Sequence, residues 1–375
     1  MNQFVNKIKN YIDQKYLIKN VDNKHWQLVD NFHDKVSIVL KQDELFDCKR
    51  YYPAIDLDKL KKDSPEEYKF LENKFTRYIY KINNCLLDPD YNWVILGPKK
   101  IFRFSYPLIE DPWDAVKPRP SVIRGIFKSK PIDLEKAILV KYAWTNYYHF
   151  IVDTLAQIYL CDDNGISSDI PVLVPHNFKK HAYVSTFLSI FPLKRKIIVQ
   201  EKGQYIRVKE LYTAKEIFCN NYVDQIKAQV INKDITADIL DVPSPELLFI
   251  TRKKGTRRSL SNIDVVEQLA RENGFSVIDP GDYSWIEQVK LFSAAKRIIG
   301  VHGAGLTNII FCKSHNVKIL EILPGKGLNP EHYENIAKKL NYGYISIKGN
   351  GLDASGQFSI DIDLLKDNIK QLIVA

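Results

Sequence analysis

The stretch that most restricts what this chain can fold into is a strand–turn–helix–strand unit written across residues 297–324. Arg297-Ile298-Ile299-Gly300-Val301 is a short apolar run of the kind carried by a parallel strand buried on both faces. His302-Gly303-Ala304-Gly305 supplies a glycine turn, Leu306 to Cys312 reads as a short helix, and Val317-Lys318-Ile319-Leu320-Glu321-Ile322-Leu323-Pro324 reads as the next strand. Glycines allow a sharp turn and a close approach to a ligand, and the free N–H groups opening the following helix attract phosphate. Glu321, sixteen residues after Gly305, is expected at the carboxyl end of its strand, where an acid accepts hydrogen bonds from ribose hydroxyls. The bland alternative is a tight connection with no ligand. Against it, an imidazole and a carboxylate at the exit of a buried strand are costly unless they have partners.

The same alternation continues on both sides. Upstream come a strand over Lys136–Tyr142, a helix over Asn146–Leu160, a strand at Pro171–Pro175, a helix over Ala182–Phe191, and strands at Lys196–Val199 and Glu210–Thr213. After a linker at Asp241–Pro245 the pattern resumes with a strand at Leu247–Thr251, a helix over Asn262–Asn273, a strand at Phe275–Ile278 and a helix over Ser284–Ala294. Pro330–Leu340, Gly343–Ile347 and Ile362–Val374 extend it as helix, strand and helix. Short strands separated by helices imply open, mostly parallel sheets, and 375 residues exceed what one core usually serves. The expectation is α/β with two Rossmann-like domains, 1–240 and 246–360, whose strand ends face one another across a cleft, and a helix at 361–375 packing back on the N-terminal domain.

Ahead of residue 130 the reading is thinner. Val36–Leu40 is strand-like, Tyr91–Pro98 with Ile101–Phe104 reads as a hairpin, and Lys117–Pro120 as a loop. Residues 1 to about 50 are a divergent extension. There Phe4, Ile8, Tyr11 and Ile12 at helical spacing suit a helix packed on the first domain or, more sharply, one lying on a membrane surface.

Two further constellations carry chemistry. His149 and Asp153 are four apart, so they share a face in the first turns of their helix, and a carboxylate can fix the tautomer of the imidazole and raise its basicity. Tyr148, Phe150, Ile151, Val152, Leu155 and Ile158 make that helix apolar on most sides, which pushes the pair into the remaining sector or into partial burial. A local helix contact is the bland alternative. The second is Arg252-Lys253-Lys254-Gly255-Thr256-Arg257-Arg258, five cations in seven residues directly after a buried strand, where guanidinium forks suit a diphosphate. The net charge of +9 favours anionic ligands in general. Cys48, Cys85, Cys161, Cys219 and Cys312 show no metal or disulfide spacing, and no apolar leader or window of about 18 apolar residues stands out. These features lead us to expect a soluble cytoplasmic protein that can dock peripherally at the inner face of the plasma membrane.

The order Asn146-x-x-His149-x-x-x-Asp153, Thr251-Arg252 with Arg257, Arg258 and Asn262, His302-Gly303-Ala304-Gly305-Leu306-Thr307-Asn308, and Glu321-Ile322-x-Pro324 resembles glycosyltransferase family 61 over roughly residues 135–350, bacterial capsular polysaccharide members included. The resemblance implies a GT-B architecture and inverting, metal-independent transfer from a nucleotide sugar, with UDP-sugar the expected co-substrate and no resident cofactor. Asp361-x-Asp363 fits a metal-motif spacing but reads as a helix start. On this reading Gly303–Asn308 and Arg252, with Arg257 or Arg258, hold the diphosphate, Glu321 the ribose, and His302 the phosphate or donor sugar. His149 oriented by Asp153, or Asp153 itself, is the base, and Asn146 lines the cleft. The partners implied are the donor, a glycan or glycolipid acceptor, and other polysaccharide-assembly enzymes or the membrane at the periphery. Two other classes stay open. An NAD(P)-dependent oxidoreductase would use the same turn, although its fingerprint places a third glycine where Asn308 stands. A non-catalytic basic carbohydrate-binding protein would not need His149 and Asp153; nucleic acid is not an expected partner, because no aromatic–basic motif is present.

Overall fold

A computed structural model describes residues 26–42, 56–89, 92–103, 115–116, 125–126, 130–140, 146–215, 220–252, 258–325, 331–353 and 356–374. The N-terminal amphipathic segment, Lys117–Pro120, Cys48, Cys219 and the basic run from Lys253 to Arg257 lie outside the described residues.

The strands are β1 (Trp26–Val29), β2 (Val36–Gln42), β3 (Arg77–Leu87), β4 (Val94–Gly97), β5 (Lys100–Phe102), β6 (Ala115–Val116), β7 (Ile132–Leu139), β8 (Val172–Pro175), β9 (Ile197–Gln200), β10 (Ile206–Lys215), β11 (Leu247–Ile250), β12 (Ser276–Ile278), β13 (Arg297–Val301), β14 (Lys318–Leu323) and β15 (Gly343–Lys348). Among the described residues they form two sheets. The first runs β6-β1-β5-β4-β3-β10-β7-β8-β9 with β2 added on β3, and the second runs β12-β11-β13-β14-β15.

The first sheet corrects the expectation of a mostly parallel Rossmann-like unit. Only the β10-β7-β8-β9 portion is continuously parallel. β3 pairs antiparallel with β10 from Ile206 opposite Leu87 to Lys215 opposite Tyr78, and β2, β4 and β5 extend an antiparallel meander, including the expected hairpin of β4 and β5. The reason lies in the pattern of β3 and β10. Both alternate buried and less buried residues over much of their length, as half-buried antiparallel strands do, whereas β8 is a bare apolar run.

Every pair in the second sheet is parallel. Numbered from its first strand the order is 2-1-3-4-5, so the strand order reverses between β11 and β13. In open α/β sheets ligands bind outside the carboxyl ends at such a reversal. The helix Ile362–Val374 turns Leu365, Ile369 and Leu372, at helical spacing, into a core shared with Phe249, Val301, Leu320 and Ile322. It packs on its own sheet, not back on the N-terminal unit, because those partners offer the apolar face its stripe needs. Asp361 opens it by accepting the Leu364 N–H at 2.9 Å, so that carboxylate serves as a helix cap.

Between the sheets lies the segment Tyr147–His149, Phe150–Thr154 and Leu155–Asp163, a helix whose middle turn is a π-helix. It has almost no polar stripe, and a helix apolar all round is one that is buried. Phe150, Ile151, Leu155 and Ile158 are fully buried in one cluster with Val172, Phe187 and Ile226 of the first unit and Ile250, Trp285, Leu306 and Phe311 of the second. At about 1.5–3 kcal/mol for each large apolar side chain, this helix is a principal tie between the two units.

Candidate functional site

The helix begins at Asn146, whose side-chain oxygen caps the His149 N–H at 3.2 Å while the side chain stays exposed. His149 Nδ1 meets Asp153 Oδ2 at 2.6 Å, with His149 about 19% exposed and Asp153 fully buried. A π turn stacks residues i and i+4 more nearly over one another than an α turn does, and such turns recur at functional sites. The carboxylate engages Nδ1, and such a contact fixes the orientation of the ring.

Across from this helix is the strand reversal. Arg252 follows β11, and its Nη1 donates to the His302 carbonyl oxygen just past β13 at 2.7 Å. Gly303 makes this possible. A Cβ there would stand 2.1 Å from Arg252 Nη1. The backbone at Gly303 is extended (φ 167°), so the residue is glycine for space and not for a left-handed turn. Gly305 has a milder version of the same reason, facing Pro280 at 3.0 Å and Ile250 at 3.4 Å. Burial holds the Arg252 guanidinium below its usual range, and the neighbouring Arg258 charge adds to this. Neither arginine forms an ion pair among the described residues, which leaves a pair of guanidiniums suited to an anion at the carboxyl ends of β11 and β13. Arg258 is held there with φ +68°, its N–H bound to the Gly356 carbonyl. Arg257 lies outside the described residues.

The expected helix after the glycine turn is a 3-10 helix, Ala304–Phe311. Ala304 and Gly305 are half-buried, but Leu306, Thr307 and Asn308 have no exposed surface. Asn308 in particular is a junction: it accepts from Tyr147 Oη at 2.5 Å and donates to Gln288 Oε1 at 2.8 Å and the Gly305 carbonyl at 3.2 Å. Trp285 Nε1 donates to the same Tyr147 oxygen at 3.0 Å. Leu306 to Asn308 therefore shape the turn from behind, and of the turn itself Ala304 and Gly305 keep partial exposure.

Glu321 also departs from expectation. It sits within β14 and not at its end, wholly buried, with Oε1 2.5 Å from His302 Nδ1 and Oε2 accepting from Tyr344 Oη at 2.5 Å. Both oxygens are occupied, so in this arrangement it braces His302 and does not face an open ribose site.

The helix Glu331–Lys339 joins the two halves. His332 packs on Tyr148, with ring centroids 4.9 Å apart, and Tyr333 lies against both Tyr148 (5.7 Å) and His302 (5.4 Å). Burial and the Glu321 charge push the Tyr333 hydroxyl far above its usual range, while Arg252 and Arg258 pull the other way. A continuous run of side chains thus leads from the His149–Asp153 pair to the His302–Glu321 pair. Sequence reasoning missed Tyr148, His332, Tyr333 and Tyr344 as site residues. The adjacent His332-Tyr333 in a polar helix was a signal, but only packing shows what those rings touch.

Among the described residues no group of three or more His, Cys, Asp or Glu is arranged as metal ligands, and no helix is long and apolar enough to cross a membrane. Cys85, Cys161 and Cys312 are buried fillers whose thiols burial pushes up to about 12. A concavity lined by Tyr159, Asp162, Phe191, Lys194 and Gln229 among others lies beside the far end of the central helix and shares no residue with the site.

Residues 147–319, which contain both histidine–carboxylate dyads' imidazoles, Arg252, Arg258 and the glycine turn, match the sequence model of the family described as Glycosyltransferase 61. A stretch of 88 residues, 23% of this chain, is 36% identical to the alpha-1,3-arabinosyltransferase XAT3 of Oryza sativa subsp. japonica, and it spans about 15% of that protein's length. Over its central region the chain is therefore similar to glycosyltransferases of family 61, and the two likenesses together support a glycosyltransferase.

Proposed function

We propose that this chain is an inverting glycosyltransferase that moves a hexose or pentose from a nucleotide sugar, a UDP-sugar foremost, to a hydroxyl of a glycan or glycolipid acceptor, without a resident metal. The two sheets then work as the halves of a GT-B arrangement. The observation that carries the reading is the meeting of Arg252, His302 and Gly303 at the β11–β13 reversal, inside the family-matched region and linked through Tyr333 and Tyr148 to His149. In this scheme the diphosphate rests on the Gly303–Gly305 backbone between Arg252 and Arg258. Those charges are in place before the leaving group develops its own, which is the economical way to stabilise it. His149, held at Nδ1 by Asp153, takes the acceptor proton at Nε2 as the hydroxyl attacks the anomeric carbon from the face opposite the diphosphate. The buried Asp153 balances the imidazolium that forms. The rice relative's name makes a pentose donor a natural second choice to test, and capsule or other surface polysaccharide assembly is the process we assign.

A thermal-shift screen of UDP, GDP, CMP, CDP, NAD and NADP in EDTA tests this. A nucleotide at 100 times its Kd adds about 2.7 kcal/mol of stability. A shift with one nucleoside mono- or diphosphate, lost in Arg252→Ala, is expected. With the donor in hand, His149→Ala should lower kcat about 10²–10⁴-fold and keep the nucleotide shift. Stabilisation by NAD or NADP alone would return the oxidoreductase reading, and full turnover in His149→Ala would remove the base.

A further inference from the structure

The sequence reading gives Glu321 and His302 separate ligand roles, whereas in the fold Tyr344, Glu321 and His302 form one hydrogen-bonded chain. Gly300 and His302 follow alternate positions along and just past β13, on the same side as Ile298, which belongs to the core shared with the central helix. Glu321 on β14 shares its face with Ile319 of that same core, and Tyr344 pairs in register with Ile319 from β15. Three adjacent strands thus place three polar side chains in one line beneath the ligand end of the sheet. Only Tyr344, the outermost, is half-exposed; Glu321 is fully buried and His302 is about 4% exposed.

We propose that Tyr344 and Glu321 are positioning residues that hold His302 with its Nδ1 proton on Glu321, so that Nε2 is the nitrogen offered to the ligand at the β11–β13 reversal. A buried carboxylate needs donors on its oxygens, and here it has one on each: His302 Nδ1 at 2.5 Å and Tyr344 Oη at 2.5 Å. Burial, with the Glu321 charge next, drives the Tyr344 hydroxyl well above its usual range, so it stays a donor. A free imidazole favours its proton on Nε2, and a carboxylate on Nδ1 reverses that choice. The other groups facing His302 do not compete for Nδ1. Tyr333 presents its ring, and Arg252 is bound to the His302 carbonyl oxygen. His302 Nε2 has no protein partner among the described residues. That this nitrogen meets a diphosphate or donor sugar rests on the transferase reading; the hold on the ring does not.

The experiment is ¹⁵N–¹H correlation of the imidazole nitrogens in the full chain labelled at histidine, with His302 assigned by its loss in His302→Gln. The neutral His302 ring should carry its proton on Nδ1. In Glu321→Ala it should revert to Nε2–H, and in Glu321→Gln, where the amide oxygen can still accept, Nδ1–H should persist. Tyr344→Phe removes one donor from Glu321, so the carboxylate bears more fully on the ring and the Nδ1–H proton signal of His302 should move downfield. An Nε2–H ring in the wild type, or a Tyr344→Phe Nδ1–H signal that overlays that of the wild type, overturns the proposal. Adding UDP then separates the two readings. Movement of the His302 signals supports nucleotide contact, whereas unmoved signals on an Nδ1–H ring leave the positioning chain standing and count against a uridine nucleotide at this site.

Discussion

Gly303 shows how a single residue can be necessary for a reason its local sequence does not reveal. A glycine between strand and helix suggests backbone freedom, yet the backbone here is extended and would accept any side chain. What the position requires is an absent Cβ, because Arg252 Nη1 occupies that space on its way to the His302 carbonyl. Gly303→Ala should therefore fold normally but push the guanidinium off its seat. Loss of a charged hydrogen bond of about 1.5 kcal/mol corresponds to roughly tenfold weaker nucleotide binding by titration calorimetry. Combining it with Arg252→Ala should cost nothing further. An additive double variant would show that the two residues act separately.

At the scale of elements, the long strands of the first sheet are tied by charge as well as by their ladders. Glu210 on β10 receives Lys81 of β3 at 2.6 Å, Lys136 of β7 at 3.0 Å and Tyr212 Oη at 2.8 Å. The Lys81 hydrogen bond is the main reason its carboxyl falls to about 2 from an ordinary 4.5. A depressed acid contributes stability that is complete above the unfolded value and disappears as pH falls through the folded one. The wild type should lose this contribution between about pH 4.5 and 2. Glu210→Gln should show a shallower fall of the urea midpoint across that window, and parallel curves would refute the assignment. The same sheet explains why its topology was hard to read. Helices between short strands announce a parallel sheet, but β3 and β10 are far apart in sequence, and nothing local states that they pair antiparallel.

For the whole molecule, the question is what keeps the two sheets in one arrangement. The central helix lies in a core drawn from both, and its first residue supplies the polar fastening. Tyr147 accepts from Trp285 and donates to Asn308, which is itself bound to Gln288 and Gly305. Lys227 of the first unit reaches the Tyr342 hydroxyl and lies 4.9 Å from its ring centroid in the second. Tyr147→Phe keeps the ring against Tyr183 but strands a buried amide oxygen and an indole N–H. It should cost about 1–3 kcal/mol. In scanning calorimetry this should appear as a lower Tm of one cooperative transition, since a shared core couples the units. A second, separate transition would show that they melt independently.

Several features were present in the sequence itself. The strands β11, β13 and β14 of the second sheet are apolar runs of the right length, and the four-residue spacing of His149 and Asp153 by itself puts them on one helix face. Local periodicity encodes such features because they depend only on neighbours within a turn or a strand. The tertiary structure alone decided the mixed pairing of the first sheet, the burial of Asn308, and the turning of Glu321 from a ribose toward His302 and Tyr344. It also placed His332 and Tyr333 between the two histidine dyads. Each of these depends on which strands lie side by side and which apolar faces meet, and those choices are set by burial over the whole chain and not by spacing within any segment of it.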